Sequence, residues 1–437
     1  MILKLKNLIS NERLMSYIKN SSWMLFEYIT RLISSIFVAI YVARYLGPEK
    51  FGILTYALSI VSIFLVISRL GMDSILVRDI SKNLEKIKTY MGTAFSLMLI
   101  SSIFCILLLG VLVEFFEQDA ATKVYIWIIS LSLLFQTLFV VDYSFQAEVK
   151  AKYASISKVF AFILISIIKI YLVFIEAELL TFVYIYAFEY LIIGLFLLFA
   201  HYLKRDFTFL LSSEKSLVKP IMQSAWPLTI SALASILYMR VDQIMIKNML
   251  SSYDLGIYSS AVKIYEGWIM IPYVLSISLL PAIVKLKKSS PEKYTNGLIK
   301  VFSFIFWGTI LVSIFTTIFS ENILLITFGE EYVSSSSILI IFMWASVFVA
   351  QGTISARYLT VEKLEKKIAK RTIVALVINV TLNYIFIPIY GLEAAAFATF
   401  ISIFVSNYLM NYIDKDLRNL FSIQNQAMIL KFLKKKG

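Results

Sequence analysis

The sequence is poor in charged residues, in cysteine and in histidine. Asp, Glu, Lys and Arg together make up 16% of the 437 residues, whereas soluble domains carry roughly 25%. A chain of this length with so few charges lacks the polar surface that water requires, so lipid must cover much of it. The single cysteine, Cys105, excludes an intrachain disulfide, and one histidine leaves no Cys/His set for a structural metal site.

Hydrophobic residues account for 59% of the sequence and are gathered into long runs. About 20 apolar helical residues cross the roughly 30 Å hydrocarbon core of a bilayer, whereas β-barrel strands would be shorter and would alternate in polarity. The sequence therefore predicts an all-α integral membrane protein with about twelve transmembrane helices. The predicted spans are residues 22–42, 53–70, 90–113, 124–141, 155–175, 180–200, 221–247, 257–281, 298–318, 337–356, 372–389 and 392–413.

Lysine and arginine alternate between rich and poor loops along the chain. The formal charge of +13 is carried by short basic clusters between the apolar runs, a placement that suits the anionic cytoplasmic leaflet better than nucleic acid. By the positive-inside rule the rich loops and both termini are cytoplasmic, which requires an even number of helices. The basic segments are the N-terminal arm, residues 78–88, 150–152, 204–219, 285–293 and 357–371, and the C-terminal tail.

A short internal repeat divides the chain near its midpoint. LGPEKFGILTYA at Leu46–Ala57 aligns without gaps on LSSYDLGIYSSA at Leu250–Ala261, each in an outer loop after the first predicted helix of its half. Equal orientation of the halves indicates a parallel repeat, with a site near the membrane midplane between them; chance similarity of short apolar stretches is the alternative. The predicted parts are an N-terminal six-helix lobe at 1–203, a cytoplasmic linker at 204–219, a C-terminal six-helix lobe at 220–413 and a basic cytoplasmic tail at 414–437.

Three stretches resemble the bacterial polysaccharide-unit flippases, the O-antigen or capsular repeat-unit translocases of the multidrug/oligosaccharidyl-lipid/polysaccharide exporter superfamily. They are YVARYLGPEKFGILTYA (Tyr41–Ala57), DQIMIKNMLSSYDLGIYSSAVKI (Asp242–Ile264) and NVTLNYIFIPIYGLEAAAFATFIS (Asn379–Ser402). The resemblance implies a V-shaped bundle of two six-helix lobes around a central cavity, in the bacterial cytoplasmic (inner) membrane. It also implies a lipid-linked oligosaccharide substrate, undecaprenyl pyrophosphate carrying a short glycan, moved from the cytoplasmic to the outer leaflet. A polysaccharide polymerase and a chain-length regulator are the protein partners that it implies.

Flipping a lipid makes and breaks no bond, so we expect a transporter and not an enzyme. A multidrug or organic-cation antiporter of the same superfamily is the near alternative; it would show unpaired acids in midmembrane, whereas here basic residues match them. A membrane glycosyltransferase or polymerase would need a large outer loop or a nucleotide-sugar domain, and no connecting segment is long enough. Asp414-Lys-Asp416 matches the Asp-x-Asp pattern of metal-dependent glycosyltransferases, but it follows the last predicted helix without a nucleotide-binding domain.

Charged residues inside the predicted spans are costly in lipid and are functional candidates for that reason. The cations, candidates for the anion-binding lining of a cavity, are Arg31, Lys169, Arg240 and Lys263. The acids, candidates for pairing or for coupling to a proton or sodium gradient, are Glu27, Glu189, Asp242 and Glu266. Aromatic residues placed to stack on sugars are Trp23, Tyr28, Tyr238, Tyr265 and Trp268. No cofactor is expected.

The alternative is that these charges only neutralise one another. Residues four apart share a helical face, and residues at equal distance from a connecting loop lie at equal depth in neighbouring helices. The pairs predicted on these grounds are Glu27–Arg31, Lys169–Glu189, Arg240–Glu266 and Asp242–Lys263. Pairing and substrate contact are compatible, because a substrate phosphate can displace a carboxylate from an arginine.

Overall fold

The computed structural model describes residues 12–204 and 208–429, which are almost entirely helical and contain no strand. In lipid, a helix satisfies the backbone hydrogen bonds of its own segment. The helices, numbered in chain order, are α1 (Glu12–Arg69), α2 (Met72–Lys82), α3 (Ile87–Phe116), α4 (Ala120–Ser130), α5 (Ser132–Phe135), α6 (Val140–Ala147), α7 (Ala151–Phe174), α8 (Leu179–Tyr202), α9 (Lys215–Met249), α10 (Ser252–Ser289), α11 (Pro291–Thr327), α12 (Ser336–Val361), α13 (Glu365–Phe404), α14 (Met410–Ile413) and α15 (Arg418–Met428).

Within the described ranges, nine helical stretches are long and apolar enough to cross a membrane. Two of them bend at a glycine with positive φ, Gly47 (72°) in α1 and Gly391 (65°) in α13. Glycine adopts this backbone conformation without the steric cost that a side chain brings. Each bend separates two predicted spans, and α10 contains the span at 257–281. The helix pattern is therefore consistent with twelve membrane crossings, and the protein is a multi-pass membrane protein as predicted.

The chain forms two compact units. The C-terminal unit comprises the chain from Leu237 onward together with Leu46–Tyr56, and the N-terminal unit comprises the rest. The boundary between Ile236 and Leu237 lies inside α9. One copy of the internal repeat thus belongs to the unit formed mainly by the other half of the sequence.

Each unit has its own apolar core. In the N-terminal unit, buried side chains from α2, α3, α6, α7 and α8 pack together, and in the C-terminal unit those from α11, α12 and α15 do so. Large apolar side chains also cover the outside of these helices, as shown by Phe115 at 80% and Phe174 at 79% exposed. Exposure of such an apolar surface to water is energetically unfavourable, whereas its exposure to lipid is not. The exposed apolar side chains therefore agree with the membrane assignment.

The two copies of the repeat contact each other within the C-terminal unit. A Cβ added at Gly52 would lie 1.8 Å from the backbone oxygen of Ser252, and one added at Gly256 would lie 1.9 Å from that of Pro48. In the alignment of the two segments, Gly52 corresponds to Gly256 and Pro48 to Ser252. The contact is therefore reciprocal, which supports the repeat as a structural feature.

Candidate functional site

Polar side chains from five helices converge on a cavity of about 530 Å³ in the N-terminal unit. The helices are α1, α2, α6, α7 and α8. A charged side chain inside an apolar helix is energetically costly, and such residues usually form ion pairs or contact a substrate or ion. The convergence of polar side chains therefore makes this cavity a candidate site. Its charged lining residues are Glu27, Arg31, Arg69, Asp73, Asp142, Lys158 and Glu189, and its aromatic ones are Phe139, Tyr143, Phe162 and Tyr190.

Lys158 is the central cation of this cavity. Its Nζ lies 3.0 Å from Glu27 Oε2 and 3.0 Å from Asp142 Oδ2. The three side chains are between 7% and 10% exposed. Two buried carboxylates therefore share one ammonium, an arrangement that needs all three groups for its stability.

Arg31 is more accessible than its predicted partner. Its Nε lies 3.9 Å from Glu27 Oε1, and its side chain is 47% exposed. The guanidinium also lies over the rings of Tyr28 and Phe162, with centroid distances of 5.3 and 6.0 Å. The predicted Glu27–Arg31 pair is present but loose, because Glu27 is held more closely by Lys158. Arg31 can therefore turn its fork of donors toward an anion in the cavity.

The predicted pair between Lys169 and Glu189 is confirmed. Lys169 Nζ lies 2.7 Å from Glu189 Oε2 and 3.5 Å from the centroid of the Tyr186 ring. The lysine side chain is 7% exposed, whereas that of Glu189 is 26% exposed. Glu189 is one of the residues that line the cavity and Lys169 is not. The carboxylate therefore faces the cavity, and the ammonium pairs with it on the side away from the cavity.

Sequence reasoning missed four of the charged lining residues: Arg69, Asp73, Asp142 and Lys158. All four lie near or just beyond the ends of predicted spans, where a charge is ordinarily explained by its reaching the interface. Arg69 instead donates from Nε to Gln136 Oε1 at 2.7 Å, and its guanidinium lies over two aromatic rings. The signal available for Arg69 was Gln136, a polar residue within the later apolar run at 124–141.

A second charged cluster lies in the C-terminal unit, where α9 and α10 place two cations on one acid. Arg240 Nη1 lies 3.2 Å from Glu266 Oε1, and Lys263 Nζ lies 3.0 Å from Glu266 Oε2. The predicted Arg240–Glu266 pair is thus confirmed. Because Glu266 serves both cations, this three-residue group carries one net positive charge and can attract an anion.

The predicted pair between Asp242 and Lys263 is wrong. Lys263 bonds to Glu266, which is three residues further along α10 and shares its face. Asp242 is buried; one of its oxygens accepts a hydrogen bond from the Tyr258 hydroxyl and the other from the Gln243 backbone N–H at 2.8 Å. Equal depth in the membrane did not bring Asp242 and Lys263 together, because their side chains leave the helices in different directions.

The candidate aromatic residues have different surroundings. Tyr265 is buried and stacks on Phe342, with ring centroids 5.0 Å apart. Trp268 donates from Nε1 to Ser346 Oγ at 3.1 Å. These two contribute to packing, whereas the Tyr28 ring lies beside the accessible Arg31 guanidinium.

Asp414 and Asp416 hold a lysine. Lys367 Nζ lies 2.7 Å from Asp414 Oδ2 and 2.8 Å from Asp416 Oδ2. The ammonium holds the pKa of the Asp414 carboxyl below its usual value. Among the described residues, no group of three His, Cys, Asp or Glu side chains is arranged to hold a metal ion. The two carboxylates of the Asp-x-Asp motif therefore form ion pairs with one lysine in this structure.

Comparisons with known proteins match this chain to proteins of polysaccharide biosynthesis. Residues 18–287 match the family described as "Polysaccharide biosynthesis protein". The chain is 25% identical to the capsular polysaccharide biosynthesis protein CapF of Staphylococcus aureus over 397 residues, covering 89% of this chain and 97% of that protein. It is 24% identical to a putative O-antigen transporter of Shigella flexneri over 417 residues, covering 91% and 98%.

Solved membrane transporters share the fold. A multidrug resistance MATE family transporter of the MOP superfamily, in an inward-facing conformation, matches with a TM-score of 0.71 and 16% identity, covering 90% of this chain and 96% of that one. The lipid II flippase MurJ, in an inward closed conformation, matches with a TM-score of 0.69 and 18% identity, covering 95% and 92%. At such identities these likenesses establish the architecture alone.

Proposed function

The chain belongs to the polysaccharide biosynthesis protein family, a family of membrane transporters and flippases, and we propose that it flips undecaprenyl-pyrophosphate-linked oligosaccharide repeat units. The direction is from the cytoplasmic to the outer leaflet of the bacterial cytoplasmic membrane, with both termini in the cytoplasm. The observation that carries the proposal is the family match across residues 18–287. A charged cavity within an otherwise apolar unit is the feature that such a substrate requires.

The substrate combines a doubly charged head, polar sugars and a long apolar tail. Only the head and the sugars need a path that replaces water, and the tail can remain in lipid. Arg31 and Arg240 each offer a planar guanidinium that suits two phosphate oxygens, and Lys263 offers a point charge beside Arg240. We assign these cations, in their respective units, to pyrophosphate contact, and Lys169 to holding Glu189. Since flipping needs no bond chemistry, the protein acts as a transporter without enzymatic activity.

Glu189 is the carboxylate that we propose for coupling to a proton or sodium gradient. It faces the cavity with 26% of its side chain exposed, and its only observed cation among the described residues is Lys169 at 2.7 Å. Protonation of Glu189 would leave that buried ammonium unpaired, which favours a rearrangement of α7 and α8.

The partners that we propose are a polysaccharide polymerase and a chain-length regulator, which would use the glycan once it is flipped.

Complementation tests the flippase proposal. A bacterial strain that lacks its own repeat-unit flippase should regain surface glycan when this chain is expressed, and purified protein in liposomes should move a fluorescent lipid-linked oligosaccharide between leaflets. The second candidate is the alternative from the sequence analysis, export of organic cations by a transporter of the same superfamily. Resistance to cationic dyes without any glycan display or lipid movement would support that candidate and overturn ours.

A further inference from the structure

Arg371, in the first part of α13, is a buried cation with no carboxylate partner among the described residues. Its residue exposure is 6%. Nη2 donates to Asn407 Oδ1 at 2.9 Å, whereas Nη1 is buried and has no hydrogen-bond partner in the described part of the chain. An arginine cannot discharge itself by losing a proton under physiological conditions, so it stays charged in this site.

Two acids that contact the start of α13 are already engaged. One turn earlier on α13, Lys367 binds both Asp414 and Asp416. A buried charge without a counter-charge is strongly unfavourable, and replacing it by an apolar side chain would remove that cost. The arrangement therefore requires a negative charge that the described chain does not provide.

A cavity beside Arg371 has room for that charge. It measures about 120 Å³ and lies within the C-terminal unit, which is roughly the volume of four water molecules in the liquid. Besides Arg371 it is lined by Thr372, by Ser406 and by Tyr238, whose hydroxyl is also buried and has no hydrogen-bond partner among residues 12–204 and 208–429. The two unused donors, Arg371 Nη1 and the Tyr238 hydroxyl, suit an oxyanion, whereas the hydroxyls of Thr372 and Ser406 already donate to the backbone oxygens of Ile368 and Ile403.

The backbone around the cavity is shaped to hold Asn407 against Arg371. Asn407 lies in a π turn at Val405–Leu409, a local widening of a helix that is frequent at functional sites. Its backbone oxygen accepts hydrogen bonds from Asn411 Nδ2 at 2.9 Å and Gln424 Nε2 at 3.2 Å. A Cβ added at Gly352 would lie 2.5 Å from the Asn407 amide carbon. Asn407 is thus fixed on several sides, and through it Nη2 of Arg371.

We propose that this cavity binds a phosphate group, with Arg371 as its main ligand and Tyr238 as a second donor. It uses none of the charges that we assign to transport. The phosphate can come from an anionic phospholipid headgroup or from free phosphate, and both present the same oxygens to Nη1. Arginine and phosphate form charge-assisted hydrogen bonds, which are stronger than those between neutral groups.

Thermal unfolding of the full-length purified protein tests the site. The probes are inorganic phosphate added to protein in neutral detergent, and nanodiscs of phosphatidylglycerol compared with nanodiscs of phosphatidylcholine. The variants are Arg371→Met, which removes the buried charge, and Lys370→Gln, which removes the neighbouring exposed cation. Ligand that binds the folded state raises the unfolding temperature.

We expect wild type and Lys370→Gln to gain stability with phosphate or with phosphatidylglycerol, and Arg371→Met to show no such gain. Without added anion, Arg371→Met should be as stable as wild type or more so, because it removes an uncompensated charge. A response to phosphate identifies a free-anion site, and a response to phosphatidylglycerol alone identifies a headgroup site. No anion-dependent difference between wild type and Arg371→Met, or an equal loss in Lys370→Gln, overturns the proposal.

Milder variants serve if Arg371→Met does not accumulate. Arg371→Lys keeps the charge but loses the planar fork, and Tyr238→Phe loses only the hydroxyl. Each removes a contact to the anion, so each should weaken the apparent affinity for the probe that stabilises wild type, by roughly tenfold or more for Arg371→Lys. Unchanged affinity in both variants would contradict phosphate binding at this cavity.

Discussion

Replacing Arg240 separates substrate contact from mere charge pairing. In the C-terminal unit, Glu266 accepts both Arg240 at 3.2 Å and Lys263 at 3.0 Å. After Arg240→Gln, Glu266 still has Lys263 as its partner, so no acid is left unpaired. If Arg240 only neutralises Glu266, the substitution should therefore have little effect on transport.

If Arg240 contacts the pyrophosphate, the same substitution removes a charge-assisted hydrogen bond. Such a contact contributes about 1.5–3 kcal/mol, which corresponds to roughly 10- to 150-fold in affinity. We expect Arg240→Gln to weaken the apparent affinity for lipid-linked oligosaccharide by an amount in that range. Arg240→Lys should recover part of it, because lysine restores the charge but not the planar fork.

The double change Arg240→Gln with Glu266→Gln provides the decisive control. The wild-type group has two cations and one acid, and the double variant retains Lys263 alone, so both carry one net positive charge. The assay is movement of a fluorescent lipid-linked oligosaccharide in liposomes at several substrate concentrations, with surface glycan display at matched protein level in cells. Full recovery in the double variant would refute a specific contact by Arg240, because charge alone would then suffice.

Three further outcomes follow from the fold. Cysteine reporters in a chain lacking Cys105 should react with an impermeant thiol reagent from outside at Ser334 and not at Ser212, and reversed labelling would overturn the predicted orientation. Gly52→Ala should lower the unfolding temperature, since its Cβ would meet a backbone oxygen at 1.8 Å, whereas Gly308→Ala, with nothing within 4 Å, should not. Lys158→Gln removes the cation closest to two buried carboxylates and should destabilise the protein by about 3–5 kcal/mol; an unchanged unfolding temperature would show that other groups compensate their charge.

Membrane depth explains which ion pairs could be predicted. Successive helices joined by a short loop run antiparallel, so residues at equal distance from the loop lie at similar depth. That reasoning found Lys169–Glu189 and Arg240–Glu266, both across such hairpins. Depth does not specify the direction in which a side chain leaves its helix. From one residue to the next, that direction rotates by about 100° around the helix axis. For this reason the pairing of Asp242 was predicted wrongly.

The sequence by itself determined the class of the protein, because the cost of burying charge and backbone in lipid acts locally along the chain. Runs of apolar residues specified the helices, and the glycines at 47 and 391 allowed the bends that separate predicted spans. The repeat and the family resemblance also lie in contiguous stretches. These features need no knowledge of which helices are neighbours.

Only the tertiary structure decided the partners of the charges. Lys158 meets Glu27, which is 131 residues away in the chain, and Arg371 is buried beside Asn407 with no acid among the described residues to oppose it. Such contacts depend on which helices pack together and on their rotation about their axes. That rotation is set by the sum of many side-chain contacts between helices, which no short stretch of sequence contains.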